Sequence, residues 1–299
     1  MKNKYIFFGE ENSINSELII KSFHKVKTKV RYIVIGNKEI INNQIQKLKS
    51  NIQINEILDP FNFQNLDINK LNVFNINYFD KKIINLLFQI KICNQLCNYT
   101  GYDLITLPIN KHIFKKKIKF NGMTEYLGEI NKKKTIMLMY GENFSIMPIT
   151  THINLNSVGV DFDKKLKNFN FTLKKIDKKT NFLKKYKNLI FLCFNPHCGE
   201  NGTIGKEDLI IKKALSSIKS LKNYLIPADS AFKNIQKKSI YVSFYHDQAL
   251  IPFKILNKKS FNQTLGLNYR RLSPSHGTAE DIKFQNLADN TSYIQCIIN

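Results

Sequence analysis

Short, nearly unbroken apolar runs alternate along this chain with segments of helical period. The runs at 5–9, 32–36, 103–108, 135–140, 189–195 and 240–245 read as strands, and their continuous hydrophobicity predicts burial on both faces. Residues 80–97 place Ile83, Leu86, Leu87, Ile90, Cys93 and Cys97 at three- and four-residue steps, the apolar stripe of one helix. Residues 207–221 do the same with Leu209, Ile210, Ala214, Ile218 and Leu221. Strand and helix in alternation predict an α/β fold. No linker rich in Gly, Pro or Ser and no internal repeat interrupts the pattern, so two domains would share a seam crossed several times by the chain. The stretch 41–78 is rich in Asn, Ile and Gln and offers no polar residue for chemistry.

Composition narrows the class. The 299 residues leave room for about two domains. No apolar run approaches the ~18 residues of a membrane span, and the apolar stretch 5–8 is too short for a signal peptide. A cytoplasmic protein without a membrane partner is expected. Five cysteines, an odd number, do not make a disulfide framework, so reduced thiols are expected. Cys93 and Cys97 fall on the helical stripe as core residues, and their spacing is not the two-residue gap of a redox or zinc pair.

Charge changes the picture less than its size suggests. Lys and Arg number 46 against 23 acidic residues, a formal +23 that raises nucleic acid as a partner. Yet the only arginines are Arg31, Arg270 and Arg271, whereas base reading and phosphate clamping favour the bidentate guanidinium. The lysines are scattered among Asn and Ile, the pattern of AT-rich coding. No nucleic-acid partner is expected, although a cationic surface would attract a small phosphorylated substrate.

Chemistry-bearing residues concentrate just after strands, where α/β sheets bind ligands. His152 follows a run at 144–149, His197 follows the run at 189–194, and His246 follows the run at 240–244. Neutral imidazoles are common ligands of borderline divalent metals, and three leave positions open for water or substrate. Taken singly, each is more often a satisfied loop or core histidine; three in equivalent positions point toward a shared site. Asp229, in Pro227-Ala228-Asp229, is a candidate carboxylate or a plain turn or cap residue. His276, Gly277, Thr278, Ala279 and Asp281 form a compact loop suited to close backbone approach by a ligand. Lys254, Asn262 and Arg271 supply the cations and donors that a phosphate or carboxylate requires, though each alone reads as solvated surface.

The runs 106–111 (TLPINK), 122–127 (GMTEYL), 195–202 (NPHCGENG), 227–232 (PADSAF), 245–250 (YHDQAL), 264–267 (TLGL) and 273–279 (SPSHGTA) resemble, in order, those of the 4-hydroxythreonine-4-phosphate dehydrogenase (PdxA-like) family of pyridoxal phosphate biosynthesis. The resemblance extends from Gly9 to about Ser292. It implies two α/β/α domains with a cleft between them, like isocitrate and isopropylmalate dehydrogenases, divided at about 1–120 plus 265–299 and 121–264. It implies that His152, His197 and His246 bind one divalent ion (Zn, Mg or Co) at a homodimer interface that the two subunits share. Positions matching Met123, Thr124, Lys254, Asn262 and Arg271 face the phosphorylated substrate, and Asp229 and Asp247 match carboxylates close by. The 276–281 loop resembles the adenine-side loop for NAD or NADP, consistent with the lack of a Gly-x-Gly-x-x-Gly fingerprint. The implied reaction is oxidation of 4-phosphooxy-L-threonine to a β-keto acid that decarboxylates, in vitamin B6 biosynthesis.

Two departures stand out. The family places a histidine before its Thr-Glu pair, where this chain has Met123, whose thioether neither carries charge nor donates a hydrogen bond. The family run Gly-Asp-Pro-Ala-Gly-Ile-Gly-Pro-Glu reads GEENSINSE at 9–17, which puts the shape of that loop in question where Ser13 and Asn15 replace glycines. A sister dehydrogenase acting on another phosphorylated hydroxy acid, or a non-catalytic relic, are the alternatives these departures raise.

Overall fold

The computed structural model describes residues 2–114, 120–216 and 221–299. The chain divides into two compact units, Met1–Asn121 with Leu267–Asn299, and Gly122–Gly266. The first unit opens with β1 (Asn3–Phe7), α1 (Asn15–Val26), β2 (Arg31–Gly36), α2 (Lys38–Lys47), β3 (Ile54–Ile57), β4 (Leu71–Asn75), α3 (Lys82–Thr100) and β5 (Asp103–Thr106). The second holds α4 (Met123–Ile130), β6 (Ile136–Gly141), β7 (Ser145–Pro148), α5 (Phe162–Thr180), β8 (Asn188–Leu192), α6 (Glu207–Leu215), β9 (Lys222–Ile226), β10 (Ser239–Ser243), α7 (His246–Leu256) and β11 (Ser260–Leu265). The chain then returns to the first unit with β12 (Arg271–Pro274) and α8 (Thr291–Ile298).

In the first unit the strand order is β3-β4-β2-β1-β5-β12, every pair parallel. In the second it is β11-β6-β7-β10-β8-β9, where β7, β10, β8 and β9 are parallel and β6 is antiparallel to both neighbours. Alternate residues of β8 serve opposite faces. Leu189 and Phe191 pack with Val158, Leu166 and Leu173, whereas Ile190 and Leu192 pack with Ala249, Leu250 and Phe253. A strand covered on both faces has no polar side, which is why its sequence reads as an unbroken apolar run.

Element ends differ from the sequence expectation for local reasons. The run 189–195 stops as a strand at Leu192, because the Phe194 and Asn195 N–H groups donate to the Asp208 carboxylate instead of a neighbouring strand. The helix expected over 80–97 continues to Thr100, where Gly101 takes a left-handed φ of 72° and closes it. That expected over 207–221 ends at Leu215, and Ile218 lies outside the described residues. The stretch 41–78 contributes β3 and β4 to the first sheet.

The expectation of uniformly reduced cysteines is corrected. Cys193 and Cys198 form a disulfide with Cα atoms 5.0 Å apart, within the span a disulfide bridges. The intervening residues fold back on themselves, a proximity that linear spacing did not disclose. Cys93, Cys97 and Cys296 are free and buried, and burial pushes their thiols up.

Candidate active site

Parallel strands bring their carboxyl ends to one sheet edge, so the segments after β7, β10, β8 and β9 emerge side by side in the second unit. Those segments carry His152, His246, His197 and Asp229 in that order. Pairing of the first two segments continues past the strands: the Ile149 N–H donates to the Ser243 carbonyl at 2.7 Å, and the Thr150 hydroxyl to that of Phe244. The result is a His152 ring 5.8 Å from that of His246, centroid to centroid.

Each imidazole has a carboxylate beside it. His246 Nδ1 lies 2.6 Å from Asp247 Oδ1, and the Tyr245 hydroxyl donates to Asp247 Oδ2 at 3.1 Å. Hydrogen bonding from His246, then from Tyr245, holds the Asp247 carboxyl below its usual range. His152 Nδ1 lies 3.9 Å from Glu125 Oε2, while Glu125 Oε1 accepts the Thr151 hydroxyl at 2.6 Å. Gly122, at the N-terminus of α4, makes this approach possible. A Cβ there would stand 2.5 Å from Glu125 Oε2 and 2.9 Å from the His152 ring. Gly122 and Glu125 are positioning residues that sequence reasoning missed, although both lie within the GMTEYL run.

His197 is presented differently. The segment after β8 hooks through five consecutive left-handed residues, His197, Cys198, Gly199, Glu200 and Asn201, with φ between 43° and 72°. Such geometry costs roughly 1–2 kcal/mol for each non-glycine residue, so other contacts must hold it. Asp208, only 2% exposed, accepts the N–H groups of Phe194 at 2.7 Å and Asn195 at 3.0 Å, and also the Asn195 side-chain amide. The disulfide closes the same hook. Gln248 of α7 donates to the Cys193 carbonyl at 3.0 Å, tying the helix that begins with His246 to the base of the hook. Asp208 and Gln248 were also missed. A buried carboxylate that binds backbone N–H groups leaves no periodic trace in sequence.

Among the described residues of one chain, no group of three His, Cys, Asp or Glu side chains converges to hold an ion. The fold therefore pairs His152 with His246 and leaves His197 on the adjoining strand end. Asp229 is exposed in the turn after β9.

The remaining residues of this unit fall nearby in the topology. Thr124, 6% exposed in the first turn of α4, has its hydroxyl 3.0 Å from that of Thr264 on β11. Asn262 stands two residues earlier on β11, hence on the same face as Thr264. Its Oδ1 is buried without a partner, the state of a group awaiting a donor. Met123 is 8% exposed beside Thr124. Lys254 is exposed in the last turn of α7, and its charge helps depress the Asp247 carboxyl.

The first unit holds the rest. Arg271 on β12 is 5% exposed and donates through Nε to the Thr106 hydroxyl at 2.8 Å. In the loop of His276, Gly277, Thr278, Ala279 and Asp281, the Thr278 carbonyl accepts the Ile14 N–H at 3.0 Å, and Glu280 accepts the side-chain amides of Asn12 and Asn110. A side chain at Gly277 would meet nothing within 4 Å, so its backbone is open to a ligand. Ala279, not Gly277, adopts the left-handed φ of 43°. In the substituted 9–17 loop, by contrast, the exchanged positions carry no such strain, and Gly9 alone has positive φ, at 78°. Asn15 Nδ2 binds the carbonyls of Phe8 at 2.8 Å and Pro108 at 2.9 Å.

Comparison with known proteins bears on the family and the fold. The family model for the pyridoxal phosphate biosynthetic protein PdxA matches residues 28–298. A 4-hydroxythreonine-4-phosphate dehydrogenase of Sulfurihydrogenibium sp. is 30% identical, covering 98% of this chain and 95% of the relative. The crystal structure of 4-hydroxythreonine-4-phosphate dehydrogenase from Klebsiella pneumoniae superposes with a TM-score of 0.81 at 23% identity, covering 99% of this chain and 97% of that one. A terephthalate 1,2-cis-dihydrodiol dehydrogenase from Burkholderia xenovorans shares the fold at a TM-score of 0.60 and 16% identity, over 100% and 97% of the two chains. The α/β dehydrogenase fold, the ordered motifs and this match over most of the length together place the chain in the PdxA family of pyridoxal phosphate biosynthetic proteins.

Proposed function

We propose that this chain oxidises 4-phosphooxy-L-threonine with NAD or NADP and one divalent ion, Zn, Mg or Co, in the cytoplasm. The product is a β-keto acid that decarboxylates to 3-amino-2-oxopropyl phosphate, on the route to vitamin B6. The observation that carries this reading is the pair His152 and His246, 5.8 Å apart at the carboxyl ends of adjacent parallel strands in a chain of this family.

The donor chemistry fits a divalent ion. Two partly exposed imidazoles, one fixed by Asp247, are suitable ligands, and His197 would complete the set, in a homodimer that shares the site. The 276–281 loop, open at Gly277, would receive the adenine side of the nucleotide. Held by these residues, a divalent ion would supply Lewis acidity for the substrate hydroxyl and the nucleotide would supply a hydride acceptor. The chain's own groups bind and orient. Lys254 and Arg271 supply positive charge for the phosphate, and the Thr124 hydroxyl and Asn262 carboxamide fix the substrate's orientation. Asp229 is the carboxylate available for proton transfer, and Asp247, engaged by His246 and Tyr245, orients the imidazole.

Formation of NADH from NAD, 4-phosphooxy-L-threonine and a divalent ion, abolished by a chelator, is the expected result. Folded, metal-binding protein that yields no NADH would overturn the substrate assignment. Met123 favours one second reading, a sister dehydrogenase for another phosphorylated hydroxy acid, because a buried thioether occupies the place of a polar contact. In that case Met123→His would gain activity on 4-phosphooxy-L-threonine and lose it on the other acid.

A further inference from the structure

The Cys193–Cys198 pair closes the hook that carries His197 but has no part in the chemistry above. The five Cα steps between these residues could span about 17 Å in extended chain, yet their Cα atoms lie 5.0 Å apart. The chain therefore folds back between them, and the left-handed hook at 197–201 begins inside the bridged loop. The two sulfurs differ in access. Cys193 is 1% exposed, and its N–H is anchored to the Ile226 carbonyl at 2.9 Å. Cys198 is partly exposed and borders a cavity of about 450 Å³ that also meets Asn201, Asp208, Lys212 and Asn223. Such a space accommodates a small thiol, and Lys212 provides a cation for its thiolate. His197 sits immediately before Cys198, inside the bridged loop.

We propose that Cys193 and Cys198 form a thiol–disulfide exchange site whose partners are small thiols and disulfides, and whose oxidation state sets the presentation of His197. In reduction, a small thiolate attacks Sγ of Cys198 from the cavity, the Sγ–Sγ bond breaks, and Cys193 leaves as a thiolate that takes a proton. A second thiol then attacks the outer sulfur of the mixed disulfide and releases Cys198. The net change converts one protein disulfide and two small thiols into two cysteines and one small disulfide, a transfer of two electrons to the protein. Oxidation is the reverse, with the small disulfide as oxidant. In the oxidised state the hook is clasped. In the reduced state the hook loses its covalent clasp and is held by hydrogen bonds, those to Asp208 and from Gln248 among them, so its four non-glycine left-handed residues leave that unfavourable backbone region more readily. The importance of His197 rests on the proposed function, whereas the exchange chemistry does not.

The test uses the full-length protein equilibrated in glutathione redox buffers. Alkylation followed by peptide mass analysis reads the disulfide, and the rate of diethyl pyrocarbonate modification at His197 reads the loop. The expected result is a linked Cys193/Cys198 peptide in oxidising buffer, two further alkylations on reduction, and a severalfold change in the His197 rate. The Cys198→Ala and Cys193→Ser variants, each checked for cooperative unfolding, should show one His197 rate in all buffers. Absence of the linked peptide in oxidising buffer would overturn the exchange site. A His197 rate indifferent to reduction would overturn the coupling. Neither reading depends on turnover, so failure of the proposed activity stays distinguishable from failure of this inference.

Discussion

Asp247 Oδ1 accepts from Nδ1 of His246 at 2.6 Å, and the two residues are neighbours in sequence. The Asp247 carboxyl is held below its ordinary range, so it is ionised at neutral pH and has no proton to give. The proton on this bond therefore belongs to Nδ1, leaving the Nε2 lone pair for a ligand. Asp247→Asn removes that control. A loss of about 10–100-fold in divalent-ion affinity is expected, measured by calorimetric titration with Zn or Co, and unchanged affinity would refute the role.

Gly122→Ala puts a methyl group against the His152 ring and Glu125. Its φ of −175° is ordinary extended backbone, so the variant should fold with stability within about 1 kcal/mol of the parent. The effect should fall on His152, as a loss of at least about tenfold in ion affinity, the scale of an orienting contact. Thermal melting and metal titration on the same sample separate the two effects.

Asp208→Ala leaves the Phe194 and Asn195 N–H groups without their acceptor. Such unsatisfied buried donors cost about 1–3 kcal/mol each. Urea unfolding should show a loss in this range or above. Asp208→Asn, which retains one acceptor oxygen, should lose less. Equal losses in the two variants would show that volume, not hydrogen bonding, is what the site requires.

Asp103 predicts an acid dependence for the first unit. Burial acts to raise its carboxyl, but the Arg270 hydrogen bond and the Lys4 and Arg270 charges outweigh that and hold it below the ordinary range. A folded-state pKa below the unfolded one contributes stability at pH values above about 4 and loses it as pH falls through the folded value. Asp103→Asn should cost about 3 kcal/mol at pH 7, because Lys4 is left buried without its anion. The difference from the parent should shrink toward pH 2, as followed by urea unfolding at both pH values.

What was legible in sequence was what short-range pattern encodes. Unbroken apolar runs marked β1, β2, β5, β6, β8 and β10, because a strand buried on both faces has no polar side to show. The placement of His152, His197 and His246 after strands followed from the same runs, and the order of the motifs disclosed the family. Tertiary structure alone decided which of these residues meet. His152 and His246 are neighbours because β7 and β10 pair in parallel, a contact between segments about ninety residues apart. The hook at 197–201 depends on the Asp208 carboxylate thirteen residues beyond Asn195 and on a bridge between two cysteines that composition marked as reduced. Local propensity cannot encode such features, because their stabilising partners come from elsewhere in the chain, and left-handed geometry is disfavoured for the very residues that adopt it.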